Sequence, residues 1–220
     1  MTAETLSTVG AARPVEVHLL RHGRTVWNLE GRAQGHTDVE LDEVGHRQAK
    51  AAAVALARIE LTRIVTSDLR RALQTAAYVE QETGVRATLE PRLRETSWGV
   101  REGLTLAEFA ARHPDEHAAW EASGRTVAIA GGEAESDVLV RVRAAMRDLV
   151  ASAEPGERIV VISHGGALKS AVAALLDWPD ADPTRLRGMA NCAVTRVDVH
   201  AGRGTMVAYN VPTSTPAFVE

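Results

Sequence analysis

Two short segments of the 220-residue chain share a layout suited to chemistry. Leu19-Leu20-Arg21-His22-Gly23 and Val161-Ile162-Ser163-His164-Gly165 each end an apolar run on a histidine followed by a glycine. Neutral imidazole is a nucleophile at physiological pH, so such a histidine can attack a substrate or pass a proton. Glycine after each histidine lets the backbone turn sharply and approach a ligand, which makes Gly165 a candidate contact. Arg21 abuts the first histidine, and Ser67-Asp68-Leu69-Arg70-Arg71-Ala72 adds two further guanidiniums. A guanidinium fork matches phosphate oxygens in pairs and keeps its charge, so two arginines with two histidines suit a phosphate dianion and its transition state. Successive helical residues diverge by roughly 100°, so Arg70 and Arg71 cannot both point equally into one site. Simpler uses compete: a histidine can cap a strand, an arginine can lie on a solvated helix face, and Asn28 and Gln34 can serve loop turns as readily as they donate to substrate oxygens.

Paired histidines also hold metals. Here a cation would sit beside the permanent charge of Arg21, and the chain has neither a His-Glu-x-x-His helix nor a cysteine cluster to complete a shell. The expectation is a site without a metal and without any other cofactor.

The elements that must position these residues follow from patterning. A buried strand is expected over 15–20, a helix over 42–59 capped by Asp42, and a second strand over 63–66. Ser67 or Asp68 is expected to cap a helix ending near Glu82 at Gly84, with a third strand over 86–89. A helix over 136–153, a strand over 158–163 whose Ile-Val-Val-Ile run reads as buried parallel sheet, and a helix from Gly165 to Leu176 come next. Two late strands over 191–200 and 205–210 look joined around Gly202 and Gly204. Alternating strands and helices call for an α/β three-layer sandwich: a mainly parallel sheet with helices on both faces. Neighbouring parallel strands would bring His22 and His164 together at the carboxyl edge of that sheet. The glycine- and tryptophan-punctuated stretch over 96–137 reads as a small insertion folded over the active site. One domain over 15–210 accounts for all of this, with tails at 1–14 and 211–220.

Arg21-His22-Gly23-Arg24-Thr25-Val26-Trp27-Asn28 resembles the Arg-His-Gly-x-Thr-x-x-Asn signature of the histidine phosphatase superfamily, also called phosphoglycerate mutase-like. Ser67-Asp68-Leu69-Arg70-Arg71-Ala72, then Arg92-Leu93-Arg94-Glu95 with Trp98-Gly99 and Glu102-Gly103, and finally Ser163-His164-Gly165-Gly166 follow in the family's order, covering roughly residues 15–210. The resemblance implies that His22 forms a phosphohistidine, that Arg21, Arg71 and His164 hold the phosphoryl oxygens, and that Glu95 is the proton donor. Glu102 competes with Glu95 for that role, but Glu95 occupies the position of the family's acid, so Glu102 is expected to be structural. Asn28 completes the signature and Gln34 lies on the same loop; both are expected at the substrate. Arg24 replaces the commoner glutamate or glutamine and either adds positive charge at the mouth of the site or faces solvent.

A metal-independent phosphomonoesterase acting on small phosphorylated metabolites is the leading expectation, with a preference for esters carrying a second anionic group. The arginines invoked for that preference are Arg24, Arg32 and Arg101. A mutase is the nearest alternative, but Glu95 and His164 are close in sequence and the chain ends soon after its last strands. A phospho-ligand binding module that does not turn over would more readily have lost the nucleophile, an arginine or the acid, and all are present. A net charge of −4 removes the global basic surface of a nucleic-acid binder. No apolar stretch approaches the roughly 20 residues of a membrane span, and residues 1–14 do not read as a signal peptide. Cys192 is the only cysteine, which suits a reducing cytoplasm. The expected partner is a small phosphate ester; oligomeric state is left open, a homodimer being one arrangement.

Overall fold

The computed structural model describes residues 13–178 and 186–213. The elements run β1 Val15–Arg21, α1 Val26–Glu30, α2 Glu43–Ala57, β2 Arg63–Thr66, α3 Arg70–Thr83, β3 Ala87–Leu89, α4 Leu106–Arg112, α5 Pro114–Ala122, α6 Glu135–Ala151, β4 Arg158–Ser163, α7 Gly165–Leu175, β5 Ala193–His200 and β6 Arg203–Pro212. They build a six-stranded sheet in the order β3-β2-β4-β1-β5-β6. β3, β2, β4 and β1 are mutually parallel, and β5 returns antiparallel on β1 with β6 antiparallel at the edge.

Alternation along each strand sorts the core into two layers. Val17 and Leu19 of β1 and Ile159 and Val161 of β4 pack against α6 and α7 through Val142, Met146, Leu168 and Val172. Leu20, Ile64, Val160 and Ile162 face the opposite way, onto Ala49, Ala53 and Leu56 of α2 and Ala72, Ala76 and Val79 of α3. The alanines let these helices lie close to the sheet. Burying a Leu or Ile side chain is worth about 1.5–3 kcal/mol, so register is strongly specified wherever both faces are covered in this way.

The segment before α6 closes over one end of the sheet around its own cluster of Leu104, Phe109, Trp120 and Ile129. β6 continues through Pro212, so residues 211 and 212 are strand rather than tail. The expected tails otherwise fall largely outside the described residues. Among the described residues no helix is long and apolar enough to cross a membrane.

Neither Ser67 nor Asp68 caps α3. The N-cap is Leu69, with no side-chain bond, and the Arg70 amide is met by Asp38 Oδ1 at 2.6 Å across the fold. Ser67 is instead taken by His164 and Asp68 by Arg94. Gly84 closes α3 in the left-handed conformation, as expected.

Candidate active site

Register places the two histidines. Arg21 pairs with Ser163 across the parallel β1–β4 ladder, so the next residue of each strand, His22 and His164, emerges at the same carboxyl edge. Their ring centroids are 5.1 Å apart and both side chains are buried.

Their hydrogen bonds assign the tautomers. His22 Nδ1 lies 2.7 Å from the Gly23 carbonyl, which can only accept, so Nδ1 carries the hydrogen and the neutral ring presents the Nε2 lone pair. Arg71 Nε donates to His164 Nδ1 at 3.1 Å, so the hydrogen of His164 sits on Nε2 and is donated to Ser67 Oγ at 2.9 Å. Burial, then the Arg71 and Arg21 guanidiniums, push the pKa of His22 well below 6.5. Burial and Arg71, followed by His22 and Arg21, do the same to His164. Both rings therefore stay neutral in the folded site at physiological pH.

Arg71 is wholly buried. Besides His164 it donates to the Thr37 carbonyl at 3.0 Å and the Gly35 carbonyl at 2.8 Å, which ties the 34–37 loop to the histidine pair. Burial lowers its pKa to about 10. Arg70 turns outward to Glu40 at 2.5 Å. Arg21 donates through Nη1 to the Met189 carbonyl, leaving a buried Nε without a partner. Burial lowers its pKa too.

Glu95 sits on the amino end of α7. Its Oε2 accepts from the Gly166 amide at 3.0 Å, and its Oε1 from the Ala167 amide at 3.1 Å and the Thr96 amide at 3.0 Å. Orphan amides and the helix dipole make this a favourable seat for a carboxylate. Space for it exists because of glycine: a β-carbon at Gly166 would lie 2.5 Å from Glu95 Oε1, while one at Gly165 would face both Arg21 Nε at 3.6 Å and Glu95 Oε2 at 3.9 Å. The structure thus gathers Arg21, His22, Arg71, Glu95, His164 and Gly165 around one edge of the sheet.

Asn28, Gln34 and Arg24 stand differently. Asn28 caps α1 reciprocally with Thr25, and Asn191 Nδ2 bridges its Oδ1 at 3.3 Å to the His22 carbonyl at 2.9 Å. Gln34 is buried with Oε1 lacking a partner, one residue before the Gly35 carbonyl held by Arg71. Arg24 is paired with Asp42 at 2.7 Å, the N-cap of α2. Its charge is spent there.

Behind these residues lies a supporting layer in which sequence reasoning expected a structural role for Glu102 but did not find its partners, and missed Arg141 and His36. Glu102 accepts from the His36 and Thr37 amides, the Thr37 hydroxyl and the Trp98 amide, at 2.9, 3.0, 2.6 and 3.1 Å, and so organises the loop that Arg71 grips. Burial opposes its charge, but these bonds from Thr37, His36 and Trp98 hold its pKa below the ordinary carboxylate range. Gly35 has φ +52°, and a β-carbon there would strike Glu102 Oε1 at 1.9 Å. Arg141 donates to the carbonyls of Arg92, Arg94 and Glu95 at 2.8, 2.7 and 2.9 Å, fixing the backbone that carries the acid. His36 adds a bond to the Glu95 carbonyl at 2.8 Å. The only signal for Arg141 in the sequence was an arginine on a mostly apolar helix face. Among the described residues no group of three or more His, Cys, Asp or Glu side chains converges to hold a metal ion.

Known proteins resemble this chain over most of its length. The glucosyl-3-phosphoglycerate phosphatase of Mycobacterium tuberculosis (strain CDC 1551 / Oshkosh) is 40% identical over 194 residues, spanning 85% of this chain and 86% of that protein. A probable phosphoglycerate mutase of Enterobacter sp. (strain 638) is 36% identical over 191 residues, spanning 84% of this chain and 85% of the relative. The solved structure of mycobacterial glucosyl-3-phosphoglycerate phosphatase complexed with VO3 superposes with a TM-score of 0.81 at 39% identity, covering 90% of this chain and 99% of that one. The family model for the histidine phosphatase superfamily (branch 1) matches residues 17–212. With two strand-end histidines in register and nearly the whole described chain matched, the protein belongs to the histidine phosphatase superfamily.

Proposed function

We propose that the protein is a phosphoric monoester hydrolase that acts on small phosphorylated metabolites through a phosphohistidine on His22, without a metal or other cofactor. The observation that carries this reading is the His22 tautomer. Nδ1–H is anchored on Gly23, which leaves the Nε2 lone pair free, and the Arg71 and Arg21 charges that act on this ring would neutralise an incoming phosphate. In the first step Nε2 attacks phosphorus, the ester P–O bond breaks, and Glu95 in its acid form protonates the departing alkoxide. In the second, Glu95 takes a proton from water as that water attacks phosphorus, the P–N bond breaks, and inorganic phosphate leaves. Arg21 and Arg71 hold the non-bridging oxygens with their remaining N–H groups, and His164 joins them when its Nε2–H leaves Ser67 Oγ for a phosphoryl oxygen. Asn28 and Gln34 line the approach. The amide seat of Glu95 positions its carboxylate between turnovers.

Similarity to the mycobacterial enzymes supports glucosyl-3-phosphoglycerate as the first substrate to try. We further read the working unit as one domain over 15–212 with 96–137 as its insertion, located in the cytoplasm and without nucleic-acid partners. The test is hydrolysis of p-nitrophenyl phosphate and of glucosyl-3-phosphoglycerate with a chelator present. Rapid quench should trap acid-labile, alkali-stable phosphate on the wild type and none on His22→Ala, which should not turn over. Phosphate on a serine, or turnover with no trapped phosphate, overturns the mechanism.

A further inference from the structure

β1 ends at Arg21, so the two peptide groups that follow the nucleophile, His22–Gly23 and Gly23–Arg24, lie beyond the sheet ladder. Buried peptide groups need partners, and here side chains supply them. On the first peptide, the His22 carbonyl accepts from Asn191 Nδ2 at 2.9 Å and the Gly23 amide donates to Thr75 Oγ1 at 3.1 Å. On the second, the Gly23 carbonyl accepts the His22 Nδ1 hydrogen at 2.7 Å and the Arg24 amide donates to Gln48 Oε1 at 2.9 Å. Carbonyl and amide point opposite ways from a trans peptide, so each plane is held on both edges. The imidazole hydrogen is one of the four bonds that hold them.

Gly23 is where this arrangement could give way. A β-carbon there would lie 2.5 Å from the Gly45 carbonyl oxygen of α2, so the close approach of that helix requires glycine. Glycine has the widest choice of backbone conformation, and the direction of its carbonyl is therefore decided by its partners. If the His22–Gly23 plane rotates, the Gly23 carbonyl swings away from Nδ1 and the ring hydrogen loses its acceptor. The imidazole is then released to the tautomer in which Nε2 carries the hydrogen and cannot attack.

Thr75 is suited to prevent this. It is fully buried, and its hydroxyl hydrogen goes to the Arg71 carbonyl one turn back at 2.8 Å, which leaves an oxygen lone pair for the Gly23 amide. One atom thus ties the backbone of the nucleophile to the helix that carries Arg71. Asn191 takes the other edge of the same plane, and its neighbours fasten the strand end: the Met189 carbonyl accepts from Arg21 Nη1, and the Cys192 amide donates to the Arg21 carbonyl at 3.0 Å. We infer that Thr75 and Asn191 are positioning residues for phosphoryl transfer, clamping the His22–Gly23 peptide from its two edges so that the Gly23 carbonyl fixes the Nδ1–H tautomer and the aim of Nε2. Their action passes through the backbone. The inference rests on the hydrolase reading above and assigns two further side chains within it.

The test uses Thr75→Val, which keeps the branched shape without the hydroxyl, and Asn191→Leu, which keeps the bulk without the donor. On p-nitrophenyl phosphate each should lower kcat about 10–100-fold, the scale of a misplaced reacting group. KM and the inhibition constant of inorganic phosphate should stay within about threefold, because the guanidiniums that bind phosphate are untouched. Thr75→Ser should keep kcat within about threefold of the wild type. Both side chains hold one plane, so the double variant should fall no more than about threefold below the worse single variant. Losses that multiply, or a kcat within about threefold of the wild type in either single variant, overturn the inference. So does phosphate binding that weakens in step with kcat, which marks general damage to the site. Heteronuclear NMR of protein with isotope-labelled histidine reads the clamp without turnover, the His22 ring being identified by its absence from His22→Ala. The wild type and Thr75→Ser should show the Nδ1–H tautomer alone, and Thr75→Val and Asn191→Leu a share of the Nε2–H form; Nδ1–H alone in both variants overturns the inference. If Thr75→Val does not fold, Asn191→Leu decides both the kinetic and the NMR measurement. A wild type inert toward every ester overturns the hydrolase reading, and the NMR measurement still decides the clamp.

Discussion

Arg71→Lys separates charge from shape. Lysine keeps the positive charge and much of the length, but its ammonium is a point donor where Arg71 presents a planar fork to three acceptors at once: His164 Nδ1, the Gly35 carbonyl and the Thr37 carbonyl. One ammonium can satisfy one of these well. The Thr37 carbonyl lies toward solvent and water can replace its donor, so the loss falls on whichever of His164 and Gly35 is left unmet in the interior. A buried acceptor stripped of its donor costs about 1–3 kcal/mol, and a midpoint near 2 kcal/mol corresponds to roughly 4–8 °C in Tm for a chain of this size. Activity should suffer more. Removing a preorganised donor from a transition-state site typically costs about 10²–10³-fold in kcat, and freeing His164 and the 34–37 loop adds to it. Thermal unfolding with and without saturating inorganic phosphate, together with kcat/KM on p-nitrophenyl phosphate, measures both effects. If Arg71→Lys stays within about threefold of the wild type in kcat/KM and within a degree in Tm, charge alone suffices and the reasoning from the three-way fork is wrong.

Glu95→Gln should slow alkyl esters far more than aryl esters, by about 10²–10⁴-fold, because an aryl oxide leaves without a proton; equal losses on both would return Glu95 to a purely structural role at the end of α7. Acid should destabilise the fold from pH 6.5 downward: burial holds His22 and His164 neutral and, with the Arg196 charge, lowers His18 from 6.5 to about 4, so below 6.5 the unfolded chain binds protons that the folded chain refuses. Each such histidine steepens the loss by about 1.4 kcal/mol per pH unit, and His18→Gln should flatten the slope by that amount between about pH 6.5 and 4 in urea titrations; parallel slopes would contradict it.

How far the site could be read in advance depended on how local its causes were. The strand ends at His22 and His164 were legible because β-branched runs of four to seven residues stop abruptly at polar turns, and the parallel pairing followed from the alternation of strands with helices. The division between Arg70 and Arg71 followed from helical geometry alone, though not which of them would turn inward. The misassigned cap of α3 shows the limit. Ser67 and Asp68 have the right local chemistry for an N-cap, but each bonds a residue far away in sequence, His164 and Arg94, and Asp38 serves the helix end from another loop. Glu102 on the 34–37 loop and Arg141 on three carbonyls are likewise pairings that only the assembled fold can bring together. Arg24, expected near the substrate, was claimed by Asp42 for the same reason.

The register of β1 against β4 sets how this protein can change over time. Because the two histidines are consecutive to a bonded strand pair, their separation is inherited from interstrand spacing, about 4.8 Å, and owes little to the loops. Lengthening a connection leaves that ruler untouched, so insertions and deletions between 96 and 137 can remodel what is bound without disturbing what reacts. A single inserted residue inside either strand reverses every side chain beyond it and turns one imidazole into the wrong layer. Variation in chain length is therefore expected to collect on one side of the sheet's carboxyl edge, leaving the thirteen residues of β1 and β4 free of gaps.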